Sequence, residues 1–200
     1  MPTKLALSLT LLAASCSSVS HGPARPPQRT WDHGVTLALS QRYVASQWEP
    51  ARDYHGGSIE YSGLVRDESG QGTGVEVSFA RAESKGNSHV ITYRPSTWRR
   101  WTDYSIGVRH ERPFGYGRWL LSGGLSYIHV DLNQTSLFET FRYDLGSTGA
   151  YLRTGYIQPI GAHLELVVSG RYRAGKDDSI LGNDVDLDQA GIDVGLTWRF

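Results

Sequence analysis

The last twelve residues of the chain alternate between apolar and small or polar side chains. Every even-numbered residue from Ala190 to Phe200 is apolar, whereas the odd-numbered ones include Gly191 and Asp193. Because successive side chains of a β-strand point to opposite faces, a period of two predicts a strand with one apolar face. We therefore expect residues 189–200 to form a β-strand.

The same alternation recurs along the chain, with turn-forming residues between its copies. Each copy is interpreted as one membrane-crossing strand, for which about 9 to 11 tilted residues suffice. The predicted strands centre on residues 59–66, 75–80, 89–93, 104–109, 118–127, 149–156, 164–173 and 189–200.

Glycine and aromatic residues indicate which face of these strands meets lipid. The charged face also carries serine and glycine, which suit a narrow interior. The apolar face carries Trp119, Tyr127, Tyr172 and Trp198 near strand ends, as expected where a membrane barrel crosses the two interfaces. A water-soluble barrel or sandwich would need the opposite arrangement. The chain is therefore predicted to be all-β, an antiparallel transmembrane β-barrel.

The terminal Trp198-Arg199-Phe200 ends a strand with an apolar outer face and a small or charged inner face. In these features the strand resembles the closing strand of bacterial outer-membrane β-barrels. The resemblance implies that Trp198 and Phe200 form a signal for the barrel-assembly machinery and lie on the periplasmic side. It covers about residues 56–200 and concerns architecture and the terminal motif, so it implies no functional subfamily.

Single-chain bacterial membrane barrels have even numbers of strands, with both chain ends on the periplasmic side. Eight strands from residue 56 onward satisfy this rule, and this count is favoured, with 33–44 left as an N-terminal appendage. Ten strands also satisfy it if 135–143 is a strand and 33–44 is the first. Counting back from Phe200 places the connections 131–144 and 175–188 outside, and the turns at 84–87, 113–117 and 159–162 inside.

The N-terminus is predicted to be a targeting segment. Lys4 precedes an apolar run of about ten residues, which is too short to span a bilayer, so residues 1–15 are interpreted as a signal peptide. Residues 16–32 are rich in serine and proline and are expected to form a flexible tether. Residues 33–200 are the barrel domain, of which 33–55 either joins the barrel or lies outside it.

The only cysteine, Cys16, follows Leu11-Leu12-Ala13-Ala14-Ser15, which resembles the lipobox of bacterial lipoproteins and implies lipidation at Cys16. Ser17 then implies the outer membrane by that family's sorting rule. Ordinary cleavage after Ser15 or Ser20 is the alternative. A single cysteine excludes an intrachain disulfide.

Composition narrows the classes of function. The 20 Lys+Arg and 20 Asp+Glu cancel, so no basic field favours nucleic-acid binding. No run of about 18 apolar residues follows the N-terminus, which argues against a transmembrane helix. No cofactor is expected, and the sequence does not define an oligomeric state.

The inward face of the predicted strands collects five acids and seven arginines. In a narrow interior these groups are expected to pair, because a buried unpaired charge is costly. We interpret them as a structural ion-pair plug. A path for a small ion or solute is the alternative, although side chains fill an eight-strand lumen. The set comprises Glu60, Glu76, Glu111, Glu165 and Asp193 with Arg66, Arg109, Arg118, Arg153, Arg171, Arg173 and Arg199.

Histidines are the first candidates for catalysis, because outer-membrane barrels that edit lipid A use histidine with serine and an acid or amide. The lipid A deacylase family carries a His-x-Ser-Asn run, and no histidine here has serine two residues later. The remaining candidate is His129 with Asp131, within reach of Ser136 in the next loop. Such residues are common on strand rims, so catalysis is the weaker interpretation.

Two further groups are candidate binding sites. The two guanidiniums of Trp98-Arg99-Arg100-Trp101 could bind lipopolysaccharide phosphates while the indoles anchor in the interface. A membrane-belt cluster without a specific ligand is the alternative. Asp184, Asp186 and Asp188 are weak candidates for a metal site, because alternating acids can chelate Ca²⁺. A solvated acidic loop is the alternative there.

The function predicted first is a non-enzymatic surface or structural barrel whose loops meet lipopolysaccharide or an envelope or host partner. A lipid A or phospholipid-modifying enzyme centred on His129 is one alternative, and a narrow pore is the other. The expected partners are outer-membrane lipids, lipopolysaccharide and the barrel-assembly machinery of a Gram-negative envelope.

Overall fold

The described part of the chain consists almost entirely of antiparallel β-strands. The computed structural model describes residues 29–44, 53–87, 96–135, 140–175, 178–180, 183–185 and 188–200. The strands are β1 (Thr30–Val44), β2 (Asp53–Arg66), β3 (Gly72–Asn87), β4 (Ser96–Phe114), β5 (Gly117–Thr135), β6 (Thr140–Pro159), β7 (Leu164–Gly175), β8 (Asp178–Ile180), β9 (Asn183–Val185) and β10 (Gln189–Arg199).

Eight of these strands close into a barrel in the order β1-β10-β7-β6-β5-β4-β3-β2. The two short strands β8 and β9 pair with each other in the connection between β7 and β10. Closure leaves no edge strand, so every barrel strand has a partner on both sides. The prediction of an all-β antiparallel barrel with eight strands is confirmed.

The set of eight strands differs from the predicted one at the N-terminus. Residues 33–44 are not an appendage, since they belong to β1, which pairs with β10 from Gly34↔Arg199 to Val44↔Gln189 and with β2 on its other side. The backbone amides and carbonyls of His33 and Phe200 exchange two hydrogen bonds of 3.2 and 3.0 Å. The first strand therefore closes the barrel against the last residue.

The predicted strand at 89–93 lies outside the described residues. In the described barrel, β3 and β4 pair with each other directly from Gly72↔Glu111 to Asn87↔Ser96. The ten-strand alternative is wrong, since the barrel closes with eight strands; Thr135 ends β5 and Thr140 begins β6.

Antiparallel order places the connections at two ends. The Phe200 end carries the turns 67–71, 115–116 and 160–163, and Gly115 takes a φ of 59° that suits glycine. The opposite end, here called the distal end, carries the connections after β1, β3, β5 and β7. The predicted inner turn at 84–87 is therefore wrong, because these residues continue β3 towards the distal end.

An apolar belt covers the outward face of the barrel. Two aromatic girdles bound it, as in transmembrane barrels. Trp119 and Tyr127 mark the two girdles on β5 and are separated by about 26 Å of strand, which a tilt of roughly 40° reduces to about 20 Å of membrane depth. Among the described residues, no helix is long and apolar enough to cross a membrane. The exposed girdle residues are Trp31, Phe114, Trp119, Trp198 and Phe200 at one end and Tyr43, Phe79, Tyr104, Tyr127 and Tyr172 at the other.

The strands differ in length around the barrel. β7 and β10 have 12 and 11 residues, close to the roughly 9 to 11 that a membrane crossing needs. β4, β5 and β6 have 19, 19 and 20 residues. Their surplus lies beyond the distal girdle, because Tyr104 and Tyr127 already mark the edge of the belt. We call residues 96–103, 128–135 and 140–148 the distal extension.

Candidate functional site

The lumen near the Phe200 end is organised around one carboxylate. Glu111 is 0% exposed and lies within 2.6 to 2.9 Å of guanidinium nitrogens from Arg66, Arg109, Arg118 and Arg199. These arginines come from β2, β4, β5 and β10. A single acid thus ties together strands on several sides of the barrel.

A second pair of acids occupies the middle of the lumen. Glu60 accepts hydrogen bonds from the guanidiniums of Arg109 and Arg153. Glu76 lies 3.8 and 3.6 Å from the same two guanidiniums and accepts a 2.7 Å hydrogen bond from the hydroxyl of Tyr151. Each buried acid therefore has cationic or hydroxyl partners, as the cost of burying an isolated carboxylate requires.

One glycine makes room for this arrangement. A Cβ added to Gly107 would collide with the hydroxyl oxygen of Tyr151 and with the backbone carbonyl of Gly123. The hydroxyl of Tyr151 therefore uses space that a side chain at position 107 would fill. The absence of a side chain on β4 is what lets the tyrosine of β6 reach Glu76.

Charged groups continue towards the distal end. Asp193 accepts bonds of 2.7 Å from Arg42 and 2.5 Å from Ser40. Asp103 lies 2.9 Å from Arg171, whose guanidinium stacks 4.2 Å from the centre of the Tyr151 ring. Arginines and acids thus remain matched over most of the lumen.

Two apolar clusters add to the charged network inside the barrel. One, at the distal end, contains Trp101 of β4 and Ile128 of β5, and the other is formed by Leu120, Ile157 and Val167. The described lumen is consequently filled by side chains, as expected for eight strands. The distal cluster comprises Tyr54, Ala80, Ala82, Trp101, Ile128, Val130 and Leu145.

The structure brings the predicted lumen residues together. All twelve acids and arginines in the predicted set face the interior and contact at least one other polar group there. The sequence reasoning missed Arg42, Arg99 and Asp103. Arg42 belongs to the strand that was left outside the barrel, and the other two lie on the distal part of β4, before the predicted strand began. Continuing the alternation of β4 towards the N-terminus would have found Arg99 and Asp103, and continuing that of β1 past Ser40 would have found Arg42.

The Trp98-Arg99-Arg100-Trp101 cluster is split between the two faces of β4. Arg99 and Trp101 point into the lumen and are 5% and 2% exposed, so these two residues cannot contact lipid. Arg100 points outward, with its guanidinium 4.4 Å from the centre of the Trp98 ring and its Nε 3.3 Å from Glu83. Only Trp98 and Arg100 remain available for a lipid or phosphate contact.

His129 and Asp131 face outward on the distal extension of β5. The Nε2 atom of His129 lies 3.4 Å from Asp131 and 3.1 Å from Asp144 of β6. Ser136, the third weak candidate for catalysis, lies outside the described residues. Asp144 was not predicted, because only the β5–β6 register, in which Asp131 pairs with Asp144, reveals it.

The remaining predicted sites are only partly described. Asp188 accepts a 3.0 Å bond from the backbone amide of Gly175 and a 3.2 Å bond from the hydroxyl of Tyr172. Its carboxylate therefore holds the base of the β7–β10 connection. Asp186 and Cys16 lie outside the described residues, as do the predicted signal peptide and most of the predicted tether. Asp184 is described only as part of β9.

The terminal aromatic residues are displayed on the outside of the barrel. Trp198 and Phe200 are 54% and 64% exposed. The rings of His33 and Phe200 stack with their centres 6.0 Å apart, as do those of Trp31 and His33. The first and last strands thus present one continuous aromatic surface at the Phe200 end.

These features, an outward apolar belt with two girdles around a charged and filled lumen, define a small transmembrane β-barrel. Comparison with solved structures agrees. The outer membrane protein OprG from Pseudomonas aeruginosa matches with a TM-score of 0.66 and 12% identity, over 86% of this chain and 97% of that one. Ail, the attachment invasion locus protein of Yersinia pestis, matches with a TM-score of 0.53 and 15% identity, over 85% of this chain and 97% of that one.

The outer membrane protease OmpT from Escherichia coli matches with a TM-score of 0.50 and 8% identity, over 87% of this chain and 97% of that one. No family model and no curated protein sequence matches the chain. At these identities the likeness shows the fold. The chain has the fold of the outer-membrane β-barrels.

Proposed function

We propose that this chain is a non-enzymatic barrel of the Gram-negative outer membrane, in which the barrel is a rigid scaffold and the distal extension contacts lipopolysaccharide or an envelope or host partner. Cys16 is its lipidation site, and Trp198 and Phe200 are read by the barrel-assembly machinery. The membrane assignment rests on the apolar belt, which would be unfavourable in water.

The observation that carries this proposal is the position of the distal extension. Strands β4 to β6 continue past the distal girdle, where no apolar surface needs cover. Their outward side chains change there from Ile106, Leu125 and Leu152 to charged and polar groups. Among the side chains that the structure describes, the outward charged or ionisable groups beyond the girdle, with those of the neighbouring β3, are Arg81, Glu83, Arg100, His129, Asp131, Arg142 and Asp144.

A structural neighbour supports a contact with anionic sugars. Ail was crystallised in complex with the heparin analogue sucrose octasulfate. On the present chain, Arg81 of β3 and Arg100 of β4 lie diagonally across the two strands just beyond the distal girdle, and Trp98 stacks on Arg100. Glu83 lies 4.0 and 3.3 Å from their guanidinium nitrogens, and an anionic ligand would compete with it for both groups. Guanidinium groups suit phosphate and sulfate ligands because they donate paired hydrogen bonds.

The filled lumen argues against a pore. The buried ion pairs and the distal apolar cluster occupy the space that a solute would need. Planar-bilayer recordings of the refolded protein are therefore expected to show no discrete conductance.

The test of the proposed contact uses vesicles that contain purified lipopolysaccharide, with phospholipid vesicles as reference. Arg81→Gln and Arg100→Gln are introduced together, and Arg112→Gln, an exposed arginine at the Phe200 end, is the matched control. We expect the double variant, transferred from detergent into amphipol so that the vesicles stay intact, to bind lipopolysaccharide vesicles at least several-fold more weakly than wild type and the control. Equal binding by all three proteins would contradict the proposal.

An enzyme acting on lipid A is the second candidate, because His129 lies between two carboxylates. Such a histidine could act as a general base. Mass spectra of lipid A from cells with and without the protein test this candidate. Identical spectra would remove it and leave the binding role in place.

A further inference from the structure

Three potential metal ligands converge on the outward face of the distal extension. The nearest ligand atoms of His129, Asp131 and Asp144 all lie within 4.8 Å of one another. His129 and Asp131 are successive outward residues of β5, and Asp144 is the direct cross-strand partner of Asp131 on β6. Regular strand pairing therefore fixes the backbone positions of the three residues.

The electrostatics of this cluster are unfavourable without a cation. Like charges placed directly opposite each other on one face of a sheet are destabilising, and Asp131 and Asp144 occupy such positions. Arg100 is the β4 partner of Asp131, yet its Nε lies 3.3 Å from Glu83. Among the described side chains, neither aspartate has an ion pair with a lysine or arginine, and only the ring of His129 contacts both.

We propose that His129, Asp131 and Asp144 bind a divalent transition-metal ion of the Zn²⁺ type. A tetrahedral Zn²⁺ with bonds of about 2.0 to 2.2 Å keeps its ligand atoms roughly 3.3 to 3.6 Å apart. The Nε2 atom of His129 lies 3.4 and 3.1 Å from the carboxylate oxygens of Asp131 and Asp144. Small side-chain rotations would bring all three ligand atoms to one ion.

The ligand set selects the class of metal. Imidazole combined with carboxylates suits Zn²⁺, whereas Ca²⁺ and Mg²⁺ prefer oxygen ligands alone. Three protein ligands leave the fourth position open to water or to an oxygen of an anionic group. The side chain of Asp144 is 69% exposed, so this position faces the surroundings of the barrel.

The environment accommodates the ion. Gly146 is the β6 residue opposite His129, so no side chain from that position covers the imidazole. Tyr127, the preceding outward residue of β5, belongs to the distal girdle. The site therefore lies just beyond the apolar belt, where the ion stays in contact with water or lipid headgroups.

Metal binding in detergent tests this inference without reference to the proposed lipopolysaccharide contact. The full chain, purified without a histidine tag, is titrated with Zn²⁺ against a chelating fluorophore. We expect one tightly bound ion per chain. Because loss of an outer-shell partner alone costs about 10- to 100-fold in metal affinity, His129→Gln and Asp144→Asn should each weaken binding by at least about tenfold.

His110→Gln is the control, because His110 is a half-buried histidine at the Phe200 end that pairs with Thr73. It should bind Zn²⁺ as wild type does. Equal binding by wild type, His129→Gln and Asp144→Asn would overturn the proposal, as would tighter binding of Ca²⁺ than of Zn²⁺ by wild type.

Thermal unfolding separates binding from folding. Without metal, Asp144→Asn should unfold at the wild-type temperature or above, because one of two facing charges is removed. Added Zn²⁺ should raise the unfolding temperature of wild type and His110→Gln but not of Asp144→Asn, because only a ligand that binds the folded state stabilises it. An equal rise in all three proteins would contradict the assigned ligands.

Discussion

Charged residues occur in two regions of this barrel, and the two regions treat them differently. In the lumen, Glu111 is 0% exposed and contacts four guanidiniums. On the distal extension, Asp144 is 69% exposed and has one histidine partner. The lumen groups satisfy one another, whereas the extension groups retain capacity for a ligand. We therefore infer that the charges in the lumen stabilise the barrel and that those on the distal extension contact partners.

Removing the central acid of the lumen should give the largest effect. Glu111→Gln leaves four arginines around a neutral amide, and breaking a buried ion pair from one side costs about 3–5 kcal/mol. The free energy of unfolding in detergent, measured by urea titration, should fall by this amount. Asp144→Asn, the exposed counterpart, should change it by less than about 0.5 kcal/mol. Similar losses in both variants would break the distinction between the two regions.

Filling the space next to Tyr151 should give the second-largest loss in the free energy of unfolding. Gly107→Leu places a side chain where the Tyr151 hydroxyl lies, and overpacking costs about 1–3 kcal/mol. The control is Gly161→Leu, because a Cβ there meets only the Cβ of Leu164, at 3.8 Å. Urea titration should show a lower free energy of unfolding for Gly107→Leu and almost no change for Gly161→Leu. A loss in the Gly161 variant as large as that at Gly107 would argue against close packing in the lumen.

Two adjacent arginines of β4 allow the same comparison of inward and outward charges within a single strand. Arg99 is buried in the lumen and Arg100 faces outward. Arg99→Gln should lower the free energy of unfolding by about 1–3 kcal/mol, because its buried polar partners lose a charged donor. Arg100→Gln should stay within about 0.5 kcal/mol. If the order of the two losses were reversed, the inward and outward assignment of β4 would be wrong.

The turn between β2 and β3 is expected to make a small part of the folding stability depend on pH. The Asp67 carboxylate accepts hydrogen bonds from the Ser69 hydroxyl at 2.6 Å and from the backbone amides of Ser69 and Gln71 at 3.0 Å. The Ser69 hydroxyl is the main reason why the pKa of Asp67 lies below its usual value. A lowered folded-state pKa stabilises the protein above the unfolded-state pKa, and this contribution is lost as the pH falls through the folded-state pKa.

Asp67→Asn should therefore lower the unfolding temperature slightly near pH 7, where the carboxylate contributes stability, and leave it unchanged below the folded-state pKa of Asp67. Carbon-detected NMR titration of the Asp67 carboxyl measures the pKa directly. A value at or above that of aspartate in an unstructured peptide would contradict the role given to Ser69.

The fold could be predicted because the membrane imposes a pattern on the sequence. Outward residues within the belt must be apolar, so alternation identified β2, β5, β6, β7 and β10 and the inward direction of Glu111. Beyond the belt this constraint ends. At Arg81 and Glu83 the outward face becomes charged while pairing continues. Residues 84–87 then follow with the turn-forming sequence Ser-Lys-Gly-Asn, which predicts a turn although β3 continues through it.

The distal cluster could not be predicted in full, because it depends on strand register. Asp131 and Asp144 are far apart in the chain, and only the pairing of β5 with β6 places them opposite each other. The membership of β1 in the barrel could not be predicted either, because it too depends on long-range pairing. The pattern breaks after Tyr43, and closure of β1 against Phe200 is a long-range contact that local alternation does not reveal.

The electrophoretic mobility of the membrane-extracted protein, with and without boiling in SDS, is the most direct test of the closed transmembrane barrel. A closed barrel resists unheated SDS because its backbone hydrogen bonds leave no edge to fray. We predict that the unheated protein from the outer-membrane fraction runs at a different position from the boiled protein, and that Arg81→Gln with Arg100→Gln keeps this difference. A protein released in soluble form, with one mobility under both conditions, would contradict the transmembrane barrel and with it every inward and outward assignment.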